Sequence, residues 1–137
     1  MLALERLHAI RIAATPASLD AMTPPRKALV LRTATDEALL IGSAPIAPVT
    51  VDDEHAIIFD DTSWFGMWVD LQTAMRFLKR ACEFDLPTER PALVQGMIAH
   101  LAIKLWLEND RVLFVVPSAV AEDFKERFER LMKAPNS

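Results

Sequence analysis

The sequence predicts an α+β fold, with a mainly antiparallel sheet and helices packed on one face. Three observations lead there. Strand, helix, strand, strand and helix patterns follow one another in the second half, with several strand patterns ahead of them. Short polar turns separate adjacent strand patterns. Hydrophobic residues make up 52 % of the 137 residues, enough for a sizeable core.

Prolines punctuate the first half at Pro16, Pro24, Pro25, Pro45 and Pro48, and each marks a turn or loop. Leu4 to Ile12 is ambiguous: Leu4, Leu7 and Arg11 fit a helix, whereas Ile10 and Ile12 alternate as in a strand. Ala17 to Met22 fits one short helical turn. Lys27 to Thr33 reads as a strand, Thr35-Asp36-Glu37 as a turn, and Ala38 to Ile41 as the returning strand of a hairpin. After a loop, His55 to Phe59 is a further strand.

Trp64 to Leu71 is a strand pattern. Gln72 to Cys82 then has helical spacing, with Met75, Leu78 and Cys82 on one face and Phe77 and Ala81 beside them. Val94 to Leu107 reads as one long strand, bent near Gly96 or His100. Asn109-Asp110 separates it from the strand Arg111 to Val116, a hairpin signal that lacks the usual glycine. Ser118 is placed to cap a last helix, with Glu122 and Asp123 near its positive end and Lys125, Arg127, Arg130 and Lys133 toward its negative end. Val120, Phe124, Phe128 and Leu131 form its apolar stripe. In domain terms, residues 1–26 are expected as an N-terminal extension of the same domain, strand or short helix. Residues 27–134 form its α+β body and residues 135–137 a tail.

Charge narrows the function. The net charge is −4 and the isoelectric point about 5.3, which argues against a nucleic-acid partner. The longest uncharged run, Ala38 to Val51, is too short to span a bilayer and contains Gly42, Pro45 and Pro48. Glu5, Arg6 and Arg11 interrupt any secretory h-region. A single cysteine allows no internal disulfide and suits a reducing cytoplasm. The mean hydropathy is positive, +0.19, so apolar surface is either well buried or kept for a partner.

No catalytic set is expected. Cys82 falls at a helix C-terminus, where the dipole disfavours a thiolate, and it reads as packing. Asp52, Asp53 and Glu54 lie beside His55, and Asp60 and Asp61 follow; such groups could hold a cation or move a proton. The intervening strand would separate the two clusters by roughly 17 Å, so they read as solvated turns. His8, His55 and His100 lack metal-site spacing, and His100 reads as a mid-strand sheet residue. Gly42, Gly66 and Gly96 form neither a phosphate loop nor a dinucleotide fingerprint.

The tryptophans are the candidate binding residues. Alternation places Phe65, Met67, Val69 and Leu71 on one face and Trp64, Gly66, Trp68 and Asp70 on the other. Gly66 leaves a gap between two indoles. Similarly, Leu101, Ile103, Leu105 and Leu107 suit a core, whereas Ala102, Lys104, Trp106 and Glu108 form a mixed face. Trp64, Gly66, Trp68, Lys104 and Trp106 are therefore the candidates for contact with a partner or a flat ligand. Cover by a second layer of the same domain is the simpler account of these indoles.

Four stretches carry a family resemblance. TDEALLIG (Thr35 to Gly42) looks like a turn leading into an apolar strand. DTSWFGMWVDL (Asp61 to Leu71) looks like a strand entering the first long helix. FLKRACEFDL (Phe77 to Leu86) resembles the end of that helix. MIAHLAIKLWLENDRVLFVVPSAVAEDF (Met97 to Phe124) resembles a closing hairpin and last helix. Together they resemble the gamma subunit of heterotetrameric sarcosine oxidase, which is related to the folate-binding, aminomethyltransferase-like family of the glycine-cleavage T-protein.

The resemblance implies an aminomethyltransferase-like, folate-binding-like fold with ferredoxin-like pieces. It also implies a non-catalytic subunit or accessory domain that docks onto larger flavin- and folate-carrying subunits. On that reading the chain holds no cofactor of its own, and its partners are larger flavoprotein oxidase subunits or copies of itself. The alternative is a free-standing module that binds tetrahydrofolate or another flat heterocycle against Trp64 and Trp68. A third reading is an enzyme using Cys82 or Asp60 and Asp61.

Overall fold

A computed structural model describes residues 3–133. The elements, in order, are β1 (Glu5–Arg6), β2 (His8–Ala13), α1 (Pro16–Ala21), β3 (Leu29–Ala34), β4 (Glu37–Gly42), β5 (Ile57–Asp60), β6 (Trp64–Asp70), α2 (Leu71–Ala81), β7 (Ala92–Ile98), β8 (Leu101–Leu107), β9 (Arg111–Pro117) and α3 (Ala121–Lys133), the last preceded by a 3-10 turn at Ser118–Val120. The fold is α+β, with two antiparallel sheets rather than the single sheet expected. One has the strand order β1-β6-β9-β8-β7 and the other β3-β4-β2-β5.

The described chain divides into two compact units: residues 6–64, and residues 3–5 with 65–133. β2, from the residues read as an N-terminal extension of the same domain, lies between β4 and β5, with Ile10 opposite both Leu40 and Asp60. Residues 135–137, expected as a tail, lie outside the described residues, as does residue 134.

In the unit of residues 6–64, the ambiguous N-terminal segment is strand, because alternation at Ile10 and Ile12 buries both beside Ala38 and Leu40. The short helix is present: Thr15 caps α1 by accepting from the Ser18 N–H, and Leu19 is its buried residue. The β3–β4 hairpin forms as expected, with a register shift between Leu31 and Ala34. β5 is an edge strand, and all four of its residues are exposed.

In the other unit, α2 and α3 supply the core of the five-stranded sheet. Asp70 caps α2 by accepting from the Thr73 N–H at 3.0 Å. The helix buries Ala74, Phe77, Leu78 and Ala81, while Met75 and Cys82 are only half-buried. The apolar face is thus rotated toward Phe77 from the expected one. Phe77, Phe114, Phe124 and Phe128 cluster with ring centroids 4.6 to 6.0 Å apart. The Phe65, Met67, Val69 and Leu71 face and the expected core face of β8 also join this cluster.

Three expectations are corrected. The long strand from Val94 is a hairpin, in which β7 and β8 pair from Ala92–Leu107 to Ile98–Leu101. Ala99 and His100 make the turn with φ of 53° and 64°, so His100 is exposed at a turn rather than set within a sheet. Left-handed turns usually announce themselves by Asn or Gly, and neither is here. Ser118 opens a 3-10 turn ahead of α3 instead of standing directly at its N-cap, and the Ala121 N–H closes that turn on the Ser118 carbonyl.

Candidate functional site

The candidate residues fall into distinct settings. Trp64 belongs to the unit of residues 6–64 and is buried, with 8 % of its surface exposed. Its indole N–H donates to Asp61 Oδ2 at 2.8 Å, and the Arg11 guanidinium carbon lies 6.0 Å from its ring centroid. Arg11 also bridges Asp61 and Glu37. Burial alone would raise the Asp61 carboxyl; the Ser63 hydroxyl, the Trp64 indole, the Ser63 N–H and Arg11 together hold it below its ordinary value of 3.8. Asp61 is therefore a structural anion fixing the approach to β6.

Asp60 is exposed beside it, at the end of β5. Asp53 lies toward the other end, where its carboxylate accepts from the Thr15 and His55 N–H groups. The His55 bond is the main cause of its lowered pKa, followed by the Thr15 bond. The two acidic clusters are thus used separately, as loop anchors. Among the described residues no group of three or more His, Cys, Asp or Glu is placed to hold a metal ion.

Trp68 and Trp106 come together in a different way. The Arg111 guanidinium lies over the Trp68 ring at 3.6 Å. Its Nε donates to Glu108 Oε1 at 2.8 Å, and the second carboxylate oxygen accepts from the Trp106 indole N–H at 3.0 Å. The order Trp68, Arg111, Glu108, Trp106 is one continuous array at the Asn109-Asp110 hairpin. The sequence placed Glu108 on the mixed face with Trp106, but neither it nor Arg111 was among the candidate residues, although opposite charges three residues apart across a turn are a legible pairing signal. Both tryptophans are half-buried and Gly66 is buried. Lys104 donates to Gln95 Oε1 at 2.6 Å across the β7–β8 pair.

Cys82 closes α2. Its N–H donates to the Leu78 carbonyl, its backbone bridges Ile98, and its thiol points to the Phe84 carbonyl at 3.3 Å. Phe84 in turn lies on Gly96, where an added Cβ would approach the ring to 3.0 Å. Gly96 therefore gives room to a ring rather than bending the strand. These contacts use Cys82 as packing between α2 and β7.

No helix of the described residues is long and apolar enough to cross a membrane. No family model matches the chain, and no curated protein matches it by sequence. Among solved structures, a chain of the heterotetrameric sarcosine oxidase from Corynebacterium sp. U-96, in complex with pyrrole 2-carboxylate, matches with a TM-score of 0.73. The match covers 99 % of this chain and 87 % of that one, at 14 % identity. The resemblance carried by the four sequence stretches is thus borne out by the fold: this chain is built, over nearly its whole length, like a chain of heterotetrameric sarcosine oxidase.

Proposed function

We propose that this chain is a non-catalytic, gamma-type subunit of a sarcosine-oxidase-like complex in the cytoplasm, seated on a larger flavoprotein subunit. The observation that carries this reading is the whole-chain likeness to one chain of a heterotetramer. A fold shared over 99 % of this chain and 87 % of that one fits a chain with the same place in an assembly.

The docking element in this proposal is β5. Ile57, Ile58 and Phe59 are 61 %, 41 % and 47 % exposed, and among the described residues the outer edge of the strand has no neighbour in the sheet. Exposed apolar edge strands invite pairing, and isolated domains commonly blunt them with charge or proline. A partner strand laid along this edge would satisfy its backbone groups and cover three large side chains. Trp68 and Trp106 contribute a smaller half-buried surface. The folate reading depended on open indoles, but Trp64 is enclosed and Trp68 already carries Arg111 on its ring. The subunit reading is therefore preferred.

The test is purification of the tagged chain from its native host, with the wild type and an Ile58→Lys, Phe59→Lys double variant in parallel. The reading expects the wild type to bring down a flavin-absorbing polypeptide with sarcosine-dependent oxidase activity, and the variant to lose it while remaining folded by circular dichroism. A wild-type chain that elutes as a lone monomer without flavoprotein overturns the reading. A variant that retains the flavoprotein rejects β5 as the docking edge.

A further inference from the structure

A cavity of about 500 Å³ opens where the ends of α2 and α3 meet the β7–β8 turn. Its size lies within the range of small-molecule sites. The lining is strongly cationic for a chain of net charge −4: three arginines and His100 face it, against one acidic residue, Glu83. Met97 and Leu131 give it an apolar wall.

Several contacts hold this cavity in shape. Ala99 is tied from both sides: its N–H donates to the Ala81 carbonyl at 2.8 Å, and its carbonyl accepts from Arg127 Nη1. Arg80 donates to the Leu131 carbonyl near the end of α3. The left-handed conformations of Ala99 and His100 are thus maintained by anchors on both helices, and His100 is kept at the rim. Among the described residues Arg130 makes a long contact with Glu126, at 3.9 Å, and it is well exposed. Both helices direct their C-terminal ends here, where cations suit the dipole, so carbonyl capping explains Arg80 and Arg127 in part. It does not account for Arg130 and His100 sharing the same concavity with an exposed methionine.

We propose that this cavity is a binding site for a small organic anion, whose phosphate or carboxylate group meets Arg127, Arg130 and His100 while its apolar body lies against Met97 and Leu131. Guanidinium forks recognise both headgroups through charge-assisted hydrogen bonds. The anchored turn presents them without a large reorganisation on binding. The site lies within one compact unit and uses no residue of β5, so it stands or falls independently of the proposed subunit role.

Calorimetric titration of the full chain with phenyl phosphate, benzoate, inorganic phosphate and phenol, at one fixed ionic strength, tests it. Phenyl phosphate or benzoate is expected to bind at least about tenfold more tightly than inorganic phosphate and phenol, because only the organic anions meet both walls. Arg130→Ala, on the exposed face of α3, should weaken that binding about tenfold, the scale of one charge-assisted hydrogen bond. Lys125→Ala, outside the cavity, should leave it unchanged. Equal affinity for phenyl phosphate and inorganic phosphate means an adventitious ion only and overturns the proposal. So does organic-anion binding that Arg130→Ala leaves unaltered, or the absence of binding by either organic anion.

Discussion

The Arg111 guanidinium rests 3.6 Å above the Trp68 indole while its Nε donates to Glu108. One side chain therefore links β6 to the β8–β9 hairpin, and through Glu108 to the Trp106 indole. A cation over an aromatic ring contributes about 0.5–1 kcal/mol when partly exposed. In a double-mutant cycle, Arg111→Ala and Trp68→Leu should couple by about that amount, measured by urea unfolding. Strictly additive effects would show that the stacking contributes nothing.

Asp61 joins Arg11, Ser63 and Trp64, so Asp61→Asn should destabilise the protein by about 1–3 kcal/mol, the scale of a lost charged hydrogen bond. The Trp64 emission should shift to the red as its surroundings loosen. Unchanged stability and emission would assign the cluster no structural role.

The pH dependence follows from the same carboxylates. Asp53, Asp61 and Asp70 all titrate below the ordinary value of 3.8 in the folded chain. A lowered folded pKa means that the unfolded chain takes up protons first. The stabilisation is therefore complete above the unfolded value and is lost as pH falls through the folded values. Thermal melts should be level above about pH 5 and drop below about pH 4, the ordinary carboxylate range. Asp61→Asn should reduce that acid drop; a drop of the same size in the variant would remove Asp61 from the account.

His100 has a φ of 64°, a conformation that disfavours any residue with a Cβ. His100→Gly should raise stability by about 1 kcal/mol despite the added freedom of the unfolded chain. A fall in Tm would show that the imidazole itself contributes contacts exceeding the relief of strain.

Phe77 meets three other phenylalanines and has no exposed surface. Phe77→Ala should destabilise the fold by about 3–5 kcal/mol through the cavity it leaves. A loss under about 1 kcal/mol would indicate that α2 and α3 collapse readily into the gap.

The sequence by itself determined the local elements and their inward faces. The β3–β4 hairpin, the Asn109-Asp110 turn, the Phe124–Phe128 stripe, the alternating faces of β6 and the core face of β8 are all legible, because strand and helix periods act over a few residues. The four stretches also carried the fold resemblance. Only the tertiary structure decided the division into two sheets, the break at Ala99-His100, the array joining Trp68 to Trp106 and the cationic cavity. Each of these depends on segments distant in sequence meeting in one register. A left-handed turn without glycine leaves no local signal, and charge spread over two helices and a hairpin becomes a site only after the chain has folded.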